Sequence, residues 1–146
     1  MFTTKIREKM KKITTLFAIF LMALPLFASQ PIAMDRQMFV ERVFDFQSDS
    51  WAYQGDRPAI INFWASWCAP CRILARTLTQ IAAEFGDEIY VYKINVDEQP
   101  ELAAAFGVRN LPFTLFVPME GAPQSALGAL SRRTVRRNVN TILLNR

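Results

Sequence analysis

The sequence predicts an α/β domain in which a central mixed β-sheet carries helices on both faces. Three observations predict it. Apolar runs and helical spacings alternate along the chain and end in a hairpin followed by a helix. The roughly 120 residues after Ala28 suffice for one domain with one core. The only two cysteines of the 146-residue chain, Cys68 and Cys71, fall where an apolar run gives way to a helical pattern.

Taken in order, Asp35 is placed to cap a first helix whose apolar stripe is Phe39, Val43 and Phe46. Ser48 to Asp56 reads as a loop, with Trp51 and Tyr53 expected to form a short edge strand. Ala59 to Trp64 reads as a buried strand, and Leu74, Leu78, Ile81 and Phe85 then recur at helical spacing. Ile89 to Val96 is the next strand, and Pro100 to Phe106 is a helix stopped by Gly107. Phe113 to Val117 and Gln124 to Gly128 are strands joined around Gly121, and Ser131 caps a last helix with Val135, Val139, Ile142 and Leu143 on its inner side. The outer side collects Arg132, Arg133, Arg136 and Arg137, a solvated face by composition, with a partner or anionic surface as the alternative.

The front of the chain differs from the rest. Lys5, Arg7, Lys9, Lys11 and Lys12 precede an apolar stretch from Ile13 to Phe27, and Ala28 then offers a small residue for cleavage. This is the layout of a secretory signal peptide. The expected organisation is therefore a signal peptide at 1–28, an N-terminal helix and loop at 29–57 and a core at 58–146, with an uncleaved anchor as the alternative for the first segment. The absence of a cysteine directly after the stretch argues against lipoprotein processing, and the expected compartment is the periplasm or its equivalent outside a bacterial inner membrane. Removing 1–28 leaves 12 basic and 12 acidic residues, so the overall excess of positive charge is no argument for nucleic acid as a partner.

A C-x-x-C pair can be half of a zinc site, but tetrahedral zinc needs four ligands, and this chain has no other Cys and no His. A purely structural disulfide across so small a loop removes little entropy from the unfolded chain. Redox exchange is the reading that uses the pair fully. Cys68 falls at a helix start, where unpaired N–H groups and the positive end of the helix dipole favour a thiolate, so Cys68 is the expected nucleophile. Cys71, one turn further in, is the expected resolving thiol. Pro70 occupies an early helical position, where its missing N–H costs nothing.

The segment Phe63-Trp64-Ala65-Ser66-Trp67-Cys68-Ala69-Pro70-Cys71-Arg72 resembles the active-site segment of the thioredoxin family, with Ala69 where that family usually has Gly. Lys93-Ile94-Asn95-Val96-Asp97, Phe106 to Pro112 and Leu127 to Ser131 resemble further family motifs in family order, from about Pro58 to the C-terminus. The resemblance implies a thioredoxin-like fold. It also implies that Pro112 is a cis-proline, that Leu111 offers its backbone to substrate, and that Trp67, Ala69 and Pro70 border the reactive sulfur. As residues alone, Trp64 and Trp67 read equally well as core aromatics.

Two positions depart from the family. Asn62 stands where thioredoxins usually bury an Asp that helps move a proton from the resolving thiol, leaving water or Lys93 to substitute. Arg76 replaces a helix-kinking Pro, so an uninterrupted helix is expected.

The signal-peptide layout and the resemblance together imply an exported enzyme reducing or isomerising protein disulfides, monomeric, with no cofactor or metal beyond the Cys68–Cys71 pair. Its expected electron donor is a membrane thiol transporter. Strong oxidants of this fold carry His inside the motif, so Ala69 and Pro70 lean toward a reductant or isomerase. The spelling Asn62-Phe63-Trp64-Ala65-Ser66-Trp67-Cys68 also resembles membrane-facing reductases for apocytochrome c, although the insertion those carry has no room between Cys71 and Asp97. A non-catalytic binding module using the same fold is the remaining alternative.

Overall fold

The computed structural model describes residues 29–146; the basic and apolar segment read as a signal peptide lies outside them. The sheet is organised around β2 (Ala59–Trp64), whose first five side chains are all buried, as befits a strand covered on both faces. It pairs in parallel with β3 (Tyr90–Asn95) and antiparallel with β4 (Phe113–Val117). A two-residue β1 (Ile32–Ala33) lies parallel to β3 at one edge, and β5 (Gln124–Leu127) lies antiparallel to β4 at the other. The resulting order is β1-β3-β2-β4-β5, a mixed five-stranded sheet.

Strand alternation divides the core into two layers. Ile60, Val91 and Phe116 point to α2 (Ala69–Phe85) and to α4 (Arg132–Asn138) with its continuation, meeting Leu74, Leu78, Ile81 and Phe85 of α2 and Val135, Val139 and Leu143. Ala59, Ile61, Phe63, Tyr92 and Ile94 point the other way, against Phe39 and Val43 at α1 (Arg36–Arg42) and Leu102 of α3 (Pro100–Ala105). Burying each such side chain contributes roughly 1.5–3 kcal/mol. Helices therefore cover both faces of the sheet.

The helix boundaries follow from local chemistry. Asp35 Oδ1 accepts from the Met38 N–H at 2.8 Å and starts α1. Ser131 Oγ accepts from the Thr134 N–H at 3.2 Å and starts α4. After α3, Gly107 takes φ +61°, while the Val108 N–H bonds the Ala103 carbonyl and the Gly107 N–H bonds that of Ala104. This paired closure needs a left-handed residue, which glycine supplies without steric cost.

Three differences from the sequence reading have clear causes. Trp51 and Tyr53 form no strand; the edge position beside β3 is held by Ile32 and Ala33, and the Met34 N–H extends that pairing to the Lys93 carbonyl at 3.0 Å. Trp51 and Tyr53 instead pack beneath the loop against the α1 side of the sheet, with Trp51 against Phe44. Burial holds the Tyr53 phenol above its usual range, and its hydroxyl donates to the Arg57 carbonyl. Second, α4 does not stay regular to its end: Val139–Leu143 form a π-helical turn, with Val135, Val139 and Leu143 buried. Third, the residues before Pro58 belong to the sheet and core as well, since β1 joins the sheet and Met34, Phe39 and Val43 are buried. The helix α2 is uninterrupted through Arg76.

The far end of α2 is tied to α4 by one acid. Glu84 meets Arg132 Nη2 at 2.8 Å and Arg136 Nε at 2.6 Å. The Arg136 hydrogen bond, followed by that of Arg132, holds its carboxyl below the usual range despite an opposing desolvation effect. A depressed folded-state pKa adds stability that is present above the unfolded value and lost as pH falls through the folded one. Glu84→Gln should therefore cost roughly 0.5–1 kcal/mol near neutrality, as for other exposed ion-pair networks, and progressively less as acid protonates the carboxyl. Urea unfolding of both proteins from neutral to acid pH checks the magnitude and the sign.

Candidate active site

The buried strand β2 delivers the chain to a tight turn. The Cys68 N–H bonds the Ala65 carbonyl at 3.2 Å, and Cys68 becomes the N-cap of α2 with extended backbone (φ −83°, ψ 103°). Its Sγ accepts the Cys71 N–H at 3.3 Å. A sulfur thus occupies the place that an Asp or Ser oxygen takes at the other capped helices, where an unpaired N–H and the helix dipole favour negative charge. Pro70 falls within the first turn, where no N–H is required of it.

Cys68 and Cys71 are joined as a disulfide, Cα–Cα 5.3 Å. Both are buried, Cys71 at 2% exposure and Cys68 at 5%. With Ala65 they form a small cluster onto which Trp64, Val96 and Leu111 pack. Leu111 precedes a cis peptide bond to Pro112, which is buried. Trp67, Ala69 and Pro70 are exposed beside the sulfurs in sequence, Trp67 at 68%. The site is therefore a buried disulfide bordered by an exposed indole on one side of the motif and by the Leu111 turn packed against it.

The two supporting residues fare differently. Asn62 is 3% exposed, and strand alternation puts it with Ile60 on the α2 side of the sheet. Its Nδ2 donates to Thr114 Oγ1 at 3.2 Å and to the Phe113 carbonyl at 3.3 Å, so the amide stitches β2 to the start of β4. Lys93 is the register neighbour of Asn62 on β3 but is exposed, and the Asn62 amide turns to β4 instead.

Sequence reasoning gave Asp97 no role in the site. Its carboxylate accepts the Trp67 indole N–H at 3.0 Å, and Asn95 Oδ1 holds the Asp97 N–H at 3.1 Å in a side-chain turn at the end of β3. The indole is thereby fixed although most of it is exposed. The available signal was Asn95-x-Asp97, a local pattern that favours such turns without indicating which side chain they present.

The thioredoxin family model matches residues 40–141. A thioredoxin of Borreliella burgdorferi is 38% identical over 100 residues, 68% of this chain and 86% of that one. A chloroplastic M-type thioredoxin of Spinacia oleracea is 32% identical over 107 residues, 71% of this chain and 59% of that longer one. The crystal structure of chloroplastic thioredoxin z superposes with a TM-score of 0.67 at 27% identity, covering 77% of this chain and 94% of that one. The fold, the disulfide at a helix start and these similarities together define a thiol-disulfide exchange protein. The chain belongs to the thioredoxin family and is a protein-disulfide oxidoreductase. The family match begins at residue 40, upstream of the Pro58 from which the motifs were legible. Among the described residues no group of three or more His, Cys, Asp and Glu could hold a metal ion.

Replacing the buried amide by an acid tests what Asn62 does. In Asn62→Asp a carboxyl would face the Phe113 carbonyl, so its folded-state pKa should rise and stability should fall as pH climbs above about 4, by roughly 3–4 kcal/mol near neutrality for a shift of about three units. Release of a trapped mixed disulfide should also quicken, because a titrating group would stand on the α2 side of the sheet. Denaturation against pH and single-turnover release measure the two effects separately. Unchanged release with the expected loss of stability would show that Asn62 has no bearing on proton transfer.

Proposed function

We propose that this oxidoreductase is exported and reduces or isomerises protein disulfides outside the inner membrane, drawing electrons from a membrane thiol transporter. The observation that carries the chemistry is the cap of α2, in which the Cys71 N–H points at Cys68 Sγ. Reduced, Cys68 would hold a thiolate favoured by the helix N-terminus and attack a substrate disulfide. One substrate sulfur leaves as a thiol and the other forms a mixed disulfide with Cys68. Cys71, deprotonated in turn, attacks Cys68 Sγ, releasing the second substrate sulfur as a thiol and restoring the Cys68–Cys71 disulfide. Trp67, Ala69, Pro70, Leu111 and Pro112 would line the approach, the exposed ones giving apolar contact and Leu111 its backbone.

Export rests on the N-terminal sequence, in which Lys5 to Lys12 are followed by the apolar stretch ending at Phe27. No described helix is long and apolar enough to cross a membrane. Neither a His in the motif nor another described feature favours net oxidation, so reduction or isomerisation is the preferred direction.

Cys71→Ser should retain attack but lose resolution. Purified from cells that express it with its own N-terminus, the variant should carry proteins released by dithiothreitol, whereas Cys68→Ser should carry none and should lose at least 100-fold of insulin-reducing activity. Edman sequencing of the wild-type protein from the same export fraction should begin at Ser29. Protein confined to the cytoplasm with an intact N-terminus would refute export, and insulin reduction surviving in Cys68→Ser would refute the exchange mechanism.

A further inference from the structure

The outer face of α2 continues the site in a direction that disulfide exchange itself does not require. Ala69 and Pro70 are exposed in the first turn; Ile73, at 63% exposure, follows Pro70 at i+3; Arg72 and Arg76 follow at i+4 spacing on the exposed side. Arg72 Nη1 leans back to the Ser66 carbonyl at 3.5 Å, over the turn that leads into Cys68. Arg109 is exposed two residues before Leu111, the residue packed on the cysteine cluster.

These three arginines differ from most others in the domain. Arg36 pairs with Glu101, Arg57 with Asp87, Arg132 and Arg136 with Glu84, and Arg146 with Glu88. Among the described residues no carboxylate lies within ion-pair distance of Arg72, Arg76 or Arg109. Two like charges one helical turn apart destabilise a helix. On α4 the same spacing is offset by Glu84 between Arg132 and Arg136; on α2 no described carboxylate pairs with Arg72 or Arg76. Arg133 and Arg137 form a comparable unpaired couple on α4, but Arg72 is on the helix that starts at Cys68, one residue after Cys71. The carboxylates near the motif stand on the other flank, where Asp97 holds the Trp67 indole and Glu98 accepts from Asn95.

We propose that the exposed strip Ile73, Arg72 and Arg76, together with Arg109, is a docking surface for the acidic flank of a disulfide-bearing protein. The inference rests on the disulfide-exchange reading and adds a substrate preference to it. Charge complementarity and continuity with the redox motif argue for this occupant. A helix rises about 1.5 Å per residue, so Arg76 lies about 12 Å along α2 from Cys68. An extended substrate covers that span in about four residues at roughly 3.3 Å each. The preferred partner therefore carries Asp or Glu three to five residues from the cysteine under attack. At about 6 Å in water, each such pair changes affinity by about threefold, and the effect is screened at high ionic strength.

The test uses the full-length reduced protein and three disulfide-linked peptides that differ only at those positions, carrying Glu, Gln or Lys. At about 20 mM salt the Glu peptide should be reduced with a kcat/KM at least fivefold above the Lys peptide, and the gap should close at about 0.5 M salt, where the screening length falls to a few ångströms. Arg76→Glu should narrow the gap between the Glu and Lys peptides, and Arg76→Gln should fall between wild type and Arg76→Glu. Equal rates for all three peptides in the wild-type protein, or a gap that salt and charge reversal leave unchanged, would overturn the docking surface while leaving exchange intact. Failure to reduce any of the peptides would overturn the exchange reading with it. The wild-type salt series decides the matter even where a variant does not fold.

Discussion

Because β2 is buried on both faces, its register against β3 and β4 cannot slip by one residue without turning Ile60 and Ile61 into each other's layers. That constraint governs the redox end of the molecule. All six residues of β2 pair with Tyr90–Asn95 and the first five pair with Phe113–Val117; the strand ends at Trp64, whose carbonyl still holds the Val96 N–H. The next turn then has one way to proceed, over the carboxyl end of β2 and into α2. The Leu111 turn enters β4 at the same end, since Phe63 is paired with Phe113. Cysteines and Leu111 meet because two strand pairings end together.

Helix capping converts this placement into chemistry. Asp35, Cys68 and Ser131 use the same geometry, a side-chain atom accepting the N–H three residues on. Oxygen does this well at the first and last of them. Sulfur is a weak acceptor when neutral and a better one as a thiolate, so the cap of α2 strengthens when Cys68 is reduced and ionised. The fold therefore couples the start of its longest described helix to the state of its nucleophile. Cys71 belongs to the same turn and supplies the N–H that is capped, so the two cysteines are linked through the backbone as well as through their sulfurs.

Most of the architecture was legible because it follows from strong periodicity. Ala59 to Trp64 and Phe113 to Val117 are apolar runs, each broken by a single polar residue, Asn62 and Thr114, and their limits agree with β2 and β4. The Leu74 to Phe85 spacing is that of the buried face of α2. The Asp35, Ser131 and Gly107 signals work through local geometry that a sequence shows directly. The edge strand was not legible for the converse reason. Ile32-Ala33 is two residues long and has no period to detect, whereas Trp51 and Tyr53 alternate in the manner of a strand but are held by packing under the loop. At the site, the cysteine pair was evident from spacing. The Trp67–Asp97 contact was not, because it joins residues 30 apart through a turn whose direction only the folded sheet determines.

The distribution of polarity around the disulfide bears on how the site selects and handles charge. Among the described residues the buried polar side chains are Asn62 and Thr114, and they are bonded to each other. The Asn62 amide spends its donors on β4, so this pair fastens strands together without carrying net charge. Charge in this region is instead at the rim, with Asp97 under the indole on one flank and Arg72 and Arg76 along α2 on another. Rim charges are screened by salt and act mostly on encounter and orientation. A buried ionisable group would act on the sulfurs themselves. With a neutral pair at Asn62 and Thr114, the reactivity of the cysteines is left mainly to the helix start that holds them, and discrimination among substrates to the exposed side chains around it.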